Sequence, residues 1–297
     1  MAAIFKAANT AVITGGASGI GLAVAKKCAG YGMRVLVADW DTRGLDAARS
    51  ALGPGALAVQ MDVGKLEDWA RLRATVSKEF GGQINLLALN AGVGLPTPFT
   101  GPEAGAGAEN FRKTFDTNLF GVVNGITTLL PLIQEKTASA PSSEEEAGPE
   151  AAIVITGSKQ GITNPPGSRP AYNASKAAVK SLAESLSFDL RGTRVAVHLL
   201  VPGWTWTALA GASSSPGDEE KKKPDAPWWP EQVADYLEAK IRDGQFWVMC
   251  PDNEVSEEVD RKRMLWNAQD VVKGRPPLSR WRDEYKDQFE EWMKKDL

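Results

Sequence analysis

AVITGGASGIG, residues 11–21, is the most informative part of the sequence. It begins with a short β-branched run, typical of a strand buried on both faces, and a glycine-rich turn then leads into a helical segment. Glycines let a pyrophosphate approach backbone N–H groups without meeting a Cβ, and the start of a helix favours negative charge. The turn therefore predicts a dinucleotide site with contacts from Gly15, Ser18, Gly19, Ile20 and Gly21.

An acidic residue ends the second predicted strand. Asp39 follows Gly21 by 18 residues, where a carboxylate can bind both hydroxyls of the adenosine ribose and repel a 2′-phosphate. We therefore expect NAD as the cofactor. NADP is the less favoured alternative, because the guanidinium of Arg43 could accept the phosphate. A competing interpretation is that Asp39 caps a helix, since Asp39 and Asp41 precede an amphipathic segment.

Short apolar runs alternate along the chain with longer amphipathic segments. The runs predict strands at Ala11–Thr14, Arg34–Asp39, Leu57–Asp62, Asn85–Asn90, Ala152–Gly157, Arg194–Val201 and Phe246–Cys250. The amphipathic segments predict helices that include Gly21–Tyr31, Leu66–Phe80, Phe111–Gln134 and Ala171–Arg191. This alternation predicts an α/β fold with right-handed crossovers: a Rossmann-like, doubly wound, seven-stranded parallel sheet flanked by helices.

Residues 1–297 are expected to form a single domain, from which three segments depart in composition. An acidic insertion at about residues 137–150 lacks apolar periodicity and is expected to be mobile. A substrate-loop region spans about residues 204–230, and a C-terminal extension starts at about residue 253. The tryptophans of the loop region predict either a lid over an apolar substrate or a subunit contact. The tryptophans of the extension are equally compatible with packing within their own chain and with packing on a neighbouring subunit.

A tyrosine and a lysine stand four residues apart on a predicted helix, so Tyr172 and Lys176 share one face. Reduction of a carbonyl needs a proton on oxygen, and an ordinary tyrosine has a pKa of about 10. A nearby ammonium is expected to lower the pKa of Tyr172 toward the range useful for acid/base catalysis, and an oxidised nicotinamide ring would act in the same direction. Taken alone, the pair could also be an ordinary aromatic–cation contact on the surface.

The ordered set of motifs resembles the short-chain dehydrogenase/reductase family over roughly residues 10–250. The motifs are Thr14–Gly21, Asp62-Val63, Asn90-Ala91-Gly92, Asn118, Ser158, Tyr172-x-x-x-Lys176 and Pro202-Gly203. The resemblance implies a Rossmann-like fold, a bound nicotinamide dinucleotide and a homodimer or homotetramer.

The resemblance also implies the roles of individual residues. Tyr172 is the acid/base, Lys176 assists it, and Ser158 orients the substrate, whose oxygen its hydroxyl can stabilise as negative charge develops. Asn118 bends its helix and holds a water joined to the lysine. The implied cofactor contacts come from Asp62, Val63, Asn90, Ala91, Gly92, Tyr172, Lys176, Pro202, Gly203, Thr205 and Thr207. Trp204 and Trp206 depart from the family pattern, which favours Thr207 over Thr205 as a contact.

Bulk composition argues against several other classes of protein. A net charge of −3 gives no electrostatic reason to expect nucleic acid as a partner, and no run approaches the roughly 20 apolar residues that cross a membrane. Two cysteines, Cys28 and Cys250, cannot build a disulfide framework. His198 is the only histidine, and its place in a predicted strand indicates a core residue rather than a metal ligand, so we expect no metal. A cytoplasmic location fits these features.

The sequence thus predicts an NAD(H)-dependent alcohol dehydrogenase or ketoreductase acting on a small-molecule carbonyl or alcohol. A protein of a different class is the main alternative: a non-catalytic dinucleotide-binding interaction or sensor protein. A third possibility uses the same residues for another reaction, such as an epimerisation.

Overall fold

A seven-stranded parallel sheet lies at the centre of the computed structural model, which describes residues 4–101, 107–138, 148–212 and 222–295. The strand order is β3-β2-β1-β4-β5-β6-β7. The strands are β1 (Thr10–Thr14), β2 (Arg34–Asp39), β3 (Leu57–Gln60), β4 (Leu86–Leu89), β5 (Ala151–Thr156), β6 (Val195–Val201) and β7 (Trp247–Met249). All six neighbouring pairs are parallel. The predicted doubly wound fold is confirmed.

Helices cover both faces of this sheet. They are α1 (Gly19–Gly30), α2 (Thr42–Leu52), α3 (Leu66–Phe80), α4 (Gly107–Phe115), α5 (Gly121–Ala138), α6 (Gln160–Thr163), α7 (Pro170–Asp189), α8 (Pro230–Arg242), α9 (Glu257–Val272) and α10 (Lys286–Met293). One core contains buried residues of α1, α2 and α8, such as Val24, Leu45 and Leu237. The other contains residues of α3, α5 and α7, such as Trp69 and Leu129. Burial on both faces explains why the strands are almost wholly apolar.

The order of the strands reverses between β1 and β4. Strand β1 pairs with β2 on one side and with β4 on the other. In open parallel sheets, ligands bind beyond the carboxyl ends of the strands at such a switch point. The fold therefore brings the glycine-rich turn after β1 beside the segments that follow β4 and β5.

The predicted third strand, Leu57–Asp62, is too long by two residues, because the observed strand ends at Gln60. The backbone N–H of Asp62 donates to Asp68 Oδ2 at 2.8 Å, so a side chain of α3 replaces the neighbouring strand as its partner. A local side-chain hydrogen bond thus ends the strand.

The predicted helix Phe111–Gln134 is divided in the structure. Helix α4 ends at Phe115, a π-helical turn covers Asp116–Phe120, and α5 follows from Gly121. Short π segments inside α-helices commonly mark functional positions, and this one contains Asn118. Of the insertion predicted at 137–150, Thr137 and Ala138 belong to α5, and residues 139–147 lie outside the described residues.

The C-terminal extension packs on its own chain. Trp266 is buried, with its ring centroid 5.3 Å from that of Phe289 and 6.0 Å from that of Trp292. Asn267 of α9 donates to the carbonyl of Ile162 in α6 at 3.1 Å. The extension therefore contacts the segment that follows β5. No helix in the described ranges is long and apolar enough to span a bilayer.

Candidate active site

The glycine-rich turn joins β1 to α1. Gly15 and Gly19 have φ angles of +63° and +52°, in the left-handed region that favours glycine. A Cβ on Gly21 would lie 2.1 Å from the carbonyl oxygen of Gly15, so no larger residue fits there. Ser18 is the N-cap of α1, but its side chain makes no capping hydrogen bond to the N–H groups of the first turn, where Ile20 follows. A turn open to backbone approach at a helix start fits a pyrophosphate.

Asp39, at the end of β2, faces this turn. Its Oδ2 accepts from the backbone N–H of Ala17 at 3.1 Å, and its Oδ1 accepts from that of Asp41 at 3.2 Å. The cap of α2 is Asp41, which accepts from the N–H of Arg43 at 3.1 Å. The alternative interpretation of Asp39 as a helix cap is therefore wrong.

The segment after β3 is anchored by α3 and α5. Asp62 is exposed, and its Oδ1 accepts from the N–H of Gly64 at 2.9 Å. The side chain of Val63 is buried, and its carbonyl accepts from Trp69 Nε1 at 2.8 Å and from Asn124 Nδ2 at 3.3 Å. These contacts fix the position of the loop expected to frame adenine.

Asn90 ties together the ends of three strands. Its N–H donates to Thr14 Oγ1 at 3.0 Å, and its Nδ2 donates to the carbonyl of Thr14 at 3.2 Å. Its Oδ1 accepts from Thr156 Oγ1 at 3.1 Å. Ala91 donates to the same Thr14 hydroxyl at 3.2 Å, and its Cα would lie 2.9 Å from a Cβ on Gly15. The segment after β4 therefore packs directly on the glycine-rich turn.

Ser158, Tyr172 and Lys176 meet beside this turn. The hydroxyl of Ser158 lies beside that of Tyr172, close enough to affect its pKa. Lys176 is buried, and its Nζ lies 5.7 Å from the centroid of the Tyr172 ring and donates to the carbonyl of Thr156 at 2.7 Å. The end of β5 thus holds both the serine and the lysine against the tyrosine of α7.

Asn118 lies next to this group and is completely buried. Its Nδ2 donates to the carbonyl of Val93 at 2.9 Å and to Ser175 Oγ at 3.0 Å, while its Oδ1 accepts from the N–H of Val93 at 2.8 Å. A Cβ on Gly92 would lie 3.4 Å from Asn118 Oδ1 and 3.5 Å from Lys176 Nζ. The predicted catalytic residues are therefore all gathered around one small space.

The pKa shifts in this group are caused mainly by burial. Burial raises the pKa of Tyr172, against the opposing effects of the Ser158 hydroxyl and of the positive charge of Arg169. Burial also lowers the pKa of Lys176 to about 8. The expected lowering of the tyrosine pKa by the lysine is thus wrong for the protein alone, because desolvation of the phenolate outweighs the nearby charges.

The segment after β6 places its two threonines differently. Pro202 and Gly203 follow the strand directly. Thr205 is buried and donates to the carbonyl of Gly203 at 3.2 Å. Thr207 lies over the glycine-rich turn, since a Cβ on Gly19 would be 3.1 Å from its Cγ2. The geometry thus gives Thr207 the better access to a dinucleotide.

The tryptophans of the substrate-loop region form a short paired structure. Trp228 donates to the carbonyl of Trp204, and Trp206 donates to that of Trp228, each at 2.8 Å. The ring of Trp228 packs edge-on against Tyr236, at 5.9 Å between centroids. The rings of Trp204 and Trp229 remain exposed. Residues 213–221 of this region lie outside the described residues.

Several residues of the site were missed in the sequence. Thr14 and Thr156 connect strand ends, and Ser175 bonds Asn118. Lys159 forms a close ion pair with Asp260 of the C-terminal extension. Arg169 comes three residues before Tyr172, which was the available signal. The contacts of Thr14, Thr156, Ser175 and Lys159 do not follow from sequence spacing, because each joins segments that are far apart in the chain.

The side chains set aside in the sequence lie in the core. Both cysteines are buried free thiols, and burial raises the pKa of Cys28 and of Cys250 to about 12. His198 is buried, with Nδ1 bonded to the carbonyl of Gln245 at 2.7 Å and Nε2 without a partner. The described part of the chain contains no cluster of His, Cys, Asp or Glu that could hold a metal ion.

Comparison with known proteins agrees with this geometry. A short chain dehydrogenase family model matches residues 9–217. The chain is 37% identical over 202 residues to oxidoreductase asL5 of Sarocladium schorii, covering 68% of this chain and 74% of that protein. It is 31% identical over 198 residues to galactitol 2-dehydrogenase of Agrobacterium fabrum, covering 66% of this chain and 70% of that protein.

Solved structures give the same result. A short chain dehydrogenase/reductase from Burkholderia phymatum, crystallised in complex with NAD, matches with a TM-score of 0.73 and 25% identity. The match covers 92% of this chain and 97% of the other.

Proposed function

This chain belongs to the short-chain dehydrogenase family, and from that premise we propose that it transfers a hydride between NAD(H) and a carbonyl or secondary alcohol. The observation that carries the proposal is the convergence of Ser158, Tyr172 and Lys176 beside the glycine-rich turn. Such a reaction needs two hydroxyls, a buried amine and a turn that binds the dinucleotide, and all of them lie at one edge of the sheet.

Each catalytic side chain has a separate task. When bound, NADH supplies the hydride and NAD⁺ accepts it. Tyr172 donates its hydroxyl proton to the substrate oxygen during reduction and takes a proton during oxidation. The hydroxyl of Ser158, which lies beside that of Tyr172, orients the same substrate oxygen. The raised pKa of Tyr172 keeps the phenol protonated, which suits proton donation to a carbonyl.

Lys176 and Asn118 act behind the tyrosine. Lys176 is fixed by its hydrogen bond to Thr156, and a pKa of about 8 lets it exchange a proton near neutral pH. Asn118 holds the segment after β4 through Val93 and borders the same space as the lysine. We infer that these two residues complete the route by which Tyr172 exchanges its proton with solvent.

We propose NAD rather than NADP as the cofactor. Both oxygens of Asp39 are held by backbone N–H groups, so the carboxylate is fixed at the end of β2. A carboxylate there repels a 2′-phosphate and accepts from ribose hydroxyls. Arg43, the cation that would instead accept a 2′-phosphate, is exposed at the start of α2. A homodimer or homotetramer and a cytoplasmic location remain predictions.

The cofactor assignment is tested by fluorescence titration of NADH and NADPH against the wild type and an Asp39→Ala variant. We expect the wild type to bind NADH more tightly and the variant to lose much of this preference. The substitution Asp46→Ala, at an exposed position of the following helix α2, controls for the loss of one negative charge. Equal affinity of the wild type for both dinucleotides would contradict the assignment to NAD.

Catalysis is tested with Tyr172→Phe on a panel of ketones and secondary alcohols. The variant should bind NADH as the wild type does but lose at least about 100-fold in kcat, because general acid catalysis contributes factors of this size. Tyr31→Phe, at the far end of α1, is the matched control and should retain activity. Undiminished turnover by Tyr172→Phe would remove the tyrosine from the mechanism. A wild type that binds NADH but turns over no substrate would favour the non-catalytic alternative.

A further inference from the structure

Arg169 brings a positive charge to the rim of the site. It is the N-cap residue of α7, and Tyr172 follows in the first turn of that helix. A Cβ on Gly94 would lie 2.6 Å from Arg169 Nη1 and 3.0 Å from Leu209 Cδ1. The guanidinium therefore lies between the segment after β4 and the segment after β6. A side chain at position 94 would have to displace the end of the Arg169 side chain.

The position of this arginine is fixed by its backbone. The N–H of Ala171 donates to the hydroxyl of buried Thr97 at 3.1 Å, which ties the start of α7 to the segment after β4. The N–H of Asn173 donates to the carbonyl of Arg169 at 3.1 Å. These two hydrogen bonds therefore hold the backbone from which the Arg169 side chain extends.

The charge of Arg169 has no protein partner in the described ranges. It forms no ion pair there, and its guanidinium makes no side-chain hydrogen bond. The other cations nearby are engaged: Lys159 pairs with Asp260, and Lys176 donates to Thr156. The field of Arg169 nevertheless reaches the reacting hydroxyl, because its charge opposes the burial effect on the pKa of Tyr172. An unpaired cation that close to the acid/base is available to a ligand.

We propose that Arg169 binds a carboxylate of the substrate, so that the enzyme acts on keto acids and hydroxy acids. The inference rests on the proposed function, because the carbonyl must lie against Ser158 and Tyr172. A guanidinium binds a carboxylate through two parallel hydrogen bonds, which fixes orientation as well as charge. Arg169 caps the helix in whose first turn Tyr172 lies, so one small substrate can contact both side chains.

The reaction balances without further reagents. In reduction, the carbonyl carbon gains a hydride from NADH and its oxygen gains the proton of Tyr172, which gives a hydroxy acid and NAD⁺. The substrate carboxylate keeps its charge throughout and stays on Arg169. Leu209, which contacts the same rim, provides an apolar surface for the carbon chain between the two polar ends.

The test compares keto acids with their neutral esters, using NADH as the reductant. The probes are benzoylformate with methyl benzoylformate, acetoacetate with ethyl acetoacetate, and levulinate with methyl levulinate. We expect the wild type to prefer at least one acid over its ester. Arg169→Gln should raise the KM for that acid at least about tenfold, whereas kcat/KM for the ester, which feels only the loss of charge near Tyr172, should fall much less. Arg169→Lys should restore part of the loss, and Arg191→Gln, at the exposed end of α7, should have no effect.

The outcomes distinguish this inference from other roles of Arg169. A loss of activity that is equal for acids and esters would mean that the arginine acts only on Tyr172, and it would overturn the proposal. A wild type that prefers the esters would overturn it as well, while leaving the oxidoreductase function intact. If no probe is reduced, binding of benzoylformate to the NADH complex decides. If the wild type binds benzoylformate and Arg169→Gln does not, the carboxylate site is supported although the proposed reaction fails. If the wild type does not bind it, or the variant binds it equally well, the carboxylate site is overturned.

Discussion

Asn118 and Val93 form a reciprocal pair of hydrogen bonds. The side-chain Oδ1 accepts from the backbone N–H of Val93 at 2.8 Å, and Nδ2 donates to its carbonyl at 2.9 Å. The pair joins the π-helical turn between α4 and α5 to the segment that follows β4. One buried amide therefore satisfies a stretch of backbone that has left the sheet, and it positions that stretch beside Lys176.

Removal of this amide should be costly. Asn118→Ala leaves both backbone groups of Val93 without their side-chain partner, and we expect the free energy of unfolding to fall by about 2–3 kcal/mol. Urea denaturation measures the change. Asn110→Ala is the control, because Asn110 makes one exposed hydrogen bond to the carbonyl of Pro96 at 2.9 Å. An equal and small effect of both substitutions would show that the pair does not hold this segment.

Substitution by alanine should have different effects on NADH binding and stability at two glycines of α1. A methyl group at Gly21 would lie 2.1 Å from the carbonyl oxygen of Gly15, whereas a methyl group at Gly30 meets nothing within 4 Å. Gly21→Ala should abolish NADH binding and destabilise the fold. Gly30→Ala should leave binding unchanged and cost no stability, since alanine is the better helix former. Fluorescence titration and thermal unfolding of both variants check this. Normal NADH affinity in Gly21→Ala would refute the assignment of the glycine-rich turn as the dinucleotide site.

The buried lysine should make stability depend on pH. Its pKa is about 8 in the folded protein against an ordinary 10.5. Between these values the unfolded chain binds a proton that the folded chain has released, so stability rises with pH across this window. Relative to Lys176→Met, the wild type should gain about 2 kcal/mol between pH 8 and pH 9.5. Urea denaturation at several pH values measures this difference.

The exposed substitution Lys26→Met serves as the control for that series and should show no comparable gain. A flat difference between the wild type and Lys176→Met over the same pH range would show that the pKa of the lysine is not lowered.

The C-terminal extension should stabilise the catalytic edge through one ion pair. Asp260 of α9 pairs with Lys159, which directly follows Ser158. Asp260→Asn leaves the largely buried ammonium of Lys159 with only the longer contact to Asp252 at 3.9 Å, and we expect a loss of about 1–3 kcal/mol in unfolding free energy. Glu291→Gln is the matched control, because it removes an exposed pair with Lys294 in the same extension and should change stability by less than about 1 kcal/mol. Equal effects of the two substitutions would show that the buried pair is not stabilising.

Most of the fold could be predicted from the sequence, because a parallel sheet buried on both faces consists of short apolar runs. Strand β2 and helix α3 have the predicted ends, and β1 begins one residue earlier than predicted. The error at Asp62 came from a local side-chain bond that competes with the strand ladder. The π-helical turn at Asp116–Phe120 was not visible as a break in apolar periodicity.

The site was less predictable than the fold. The motifs identified Tyr172 and Lys176, but the direction of the tyrosine pKa depends on how deeply both groups are buried. Arg169 could not be placed either, because its position depends on close packing against Gly94. Burial and contacts between loops are tertiary properties, and residue spacing along the chain does not encode them directly.

The most direct test of hydride transfer uses NADH that carries deuterium at both C4 positions, incubated with a ketone or keto acid from the panels above that the wild type reduces. We expect the wild type to deliver deuterium to the former carbonyl carbon of the product, as detected by mass spectrometry. Tyr172→Phe, with unchanged affinity for NADH, should give almost no labelled product. Product without deuterium would contradict the proposed oxidoreductase function. The same conclusion would follow if the protein bound NADH but oxidised it with none of the substrates.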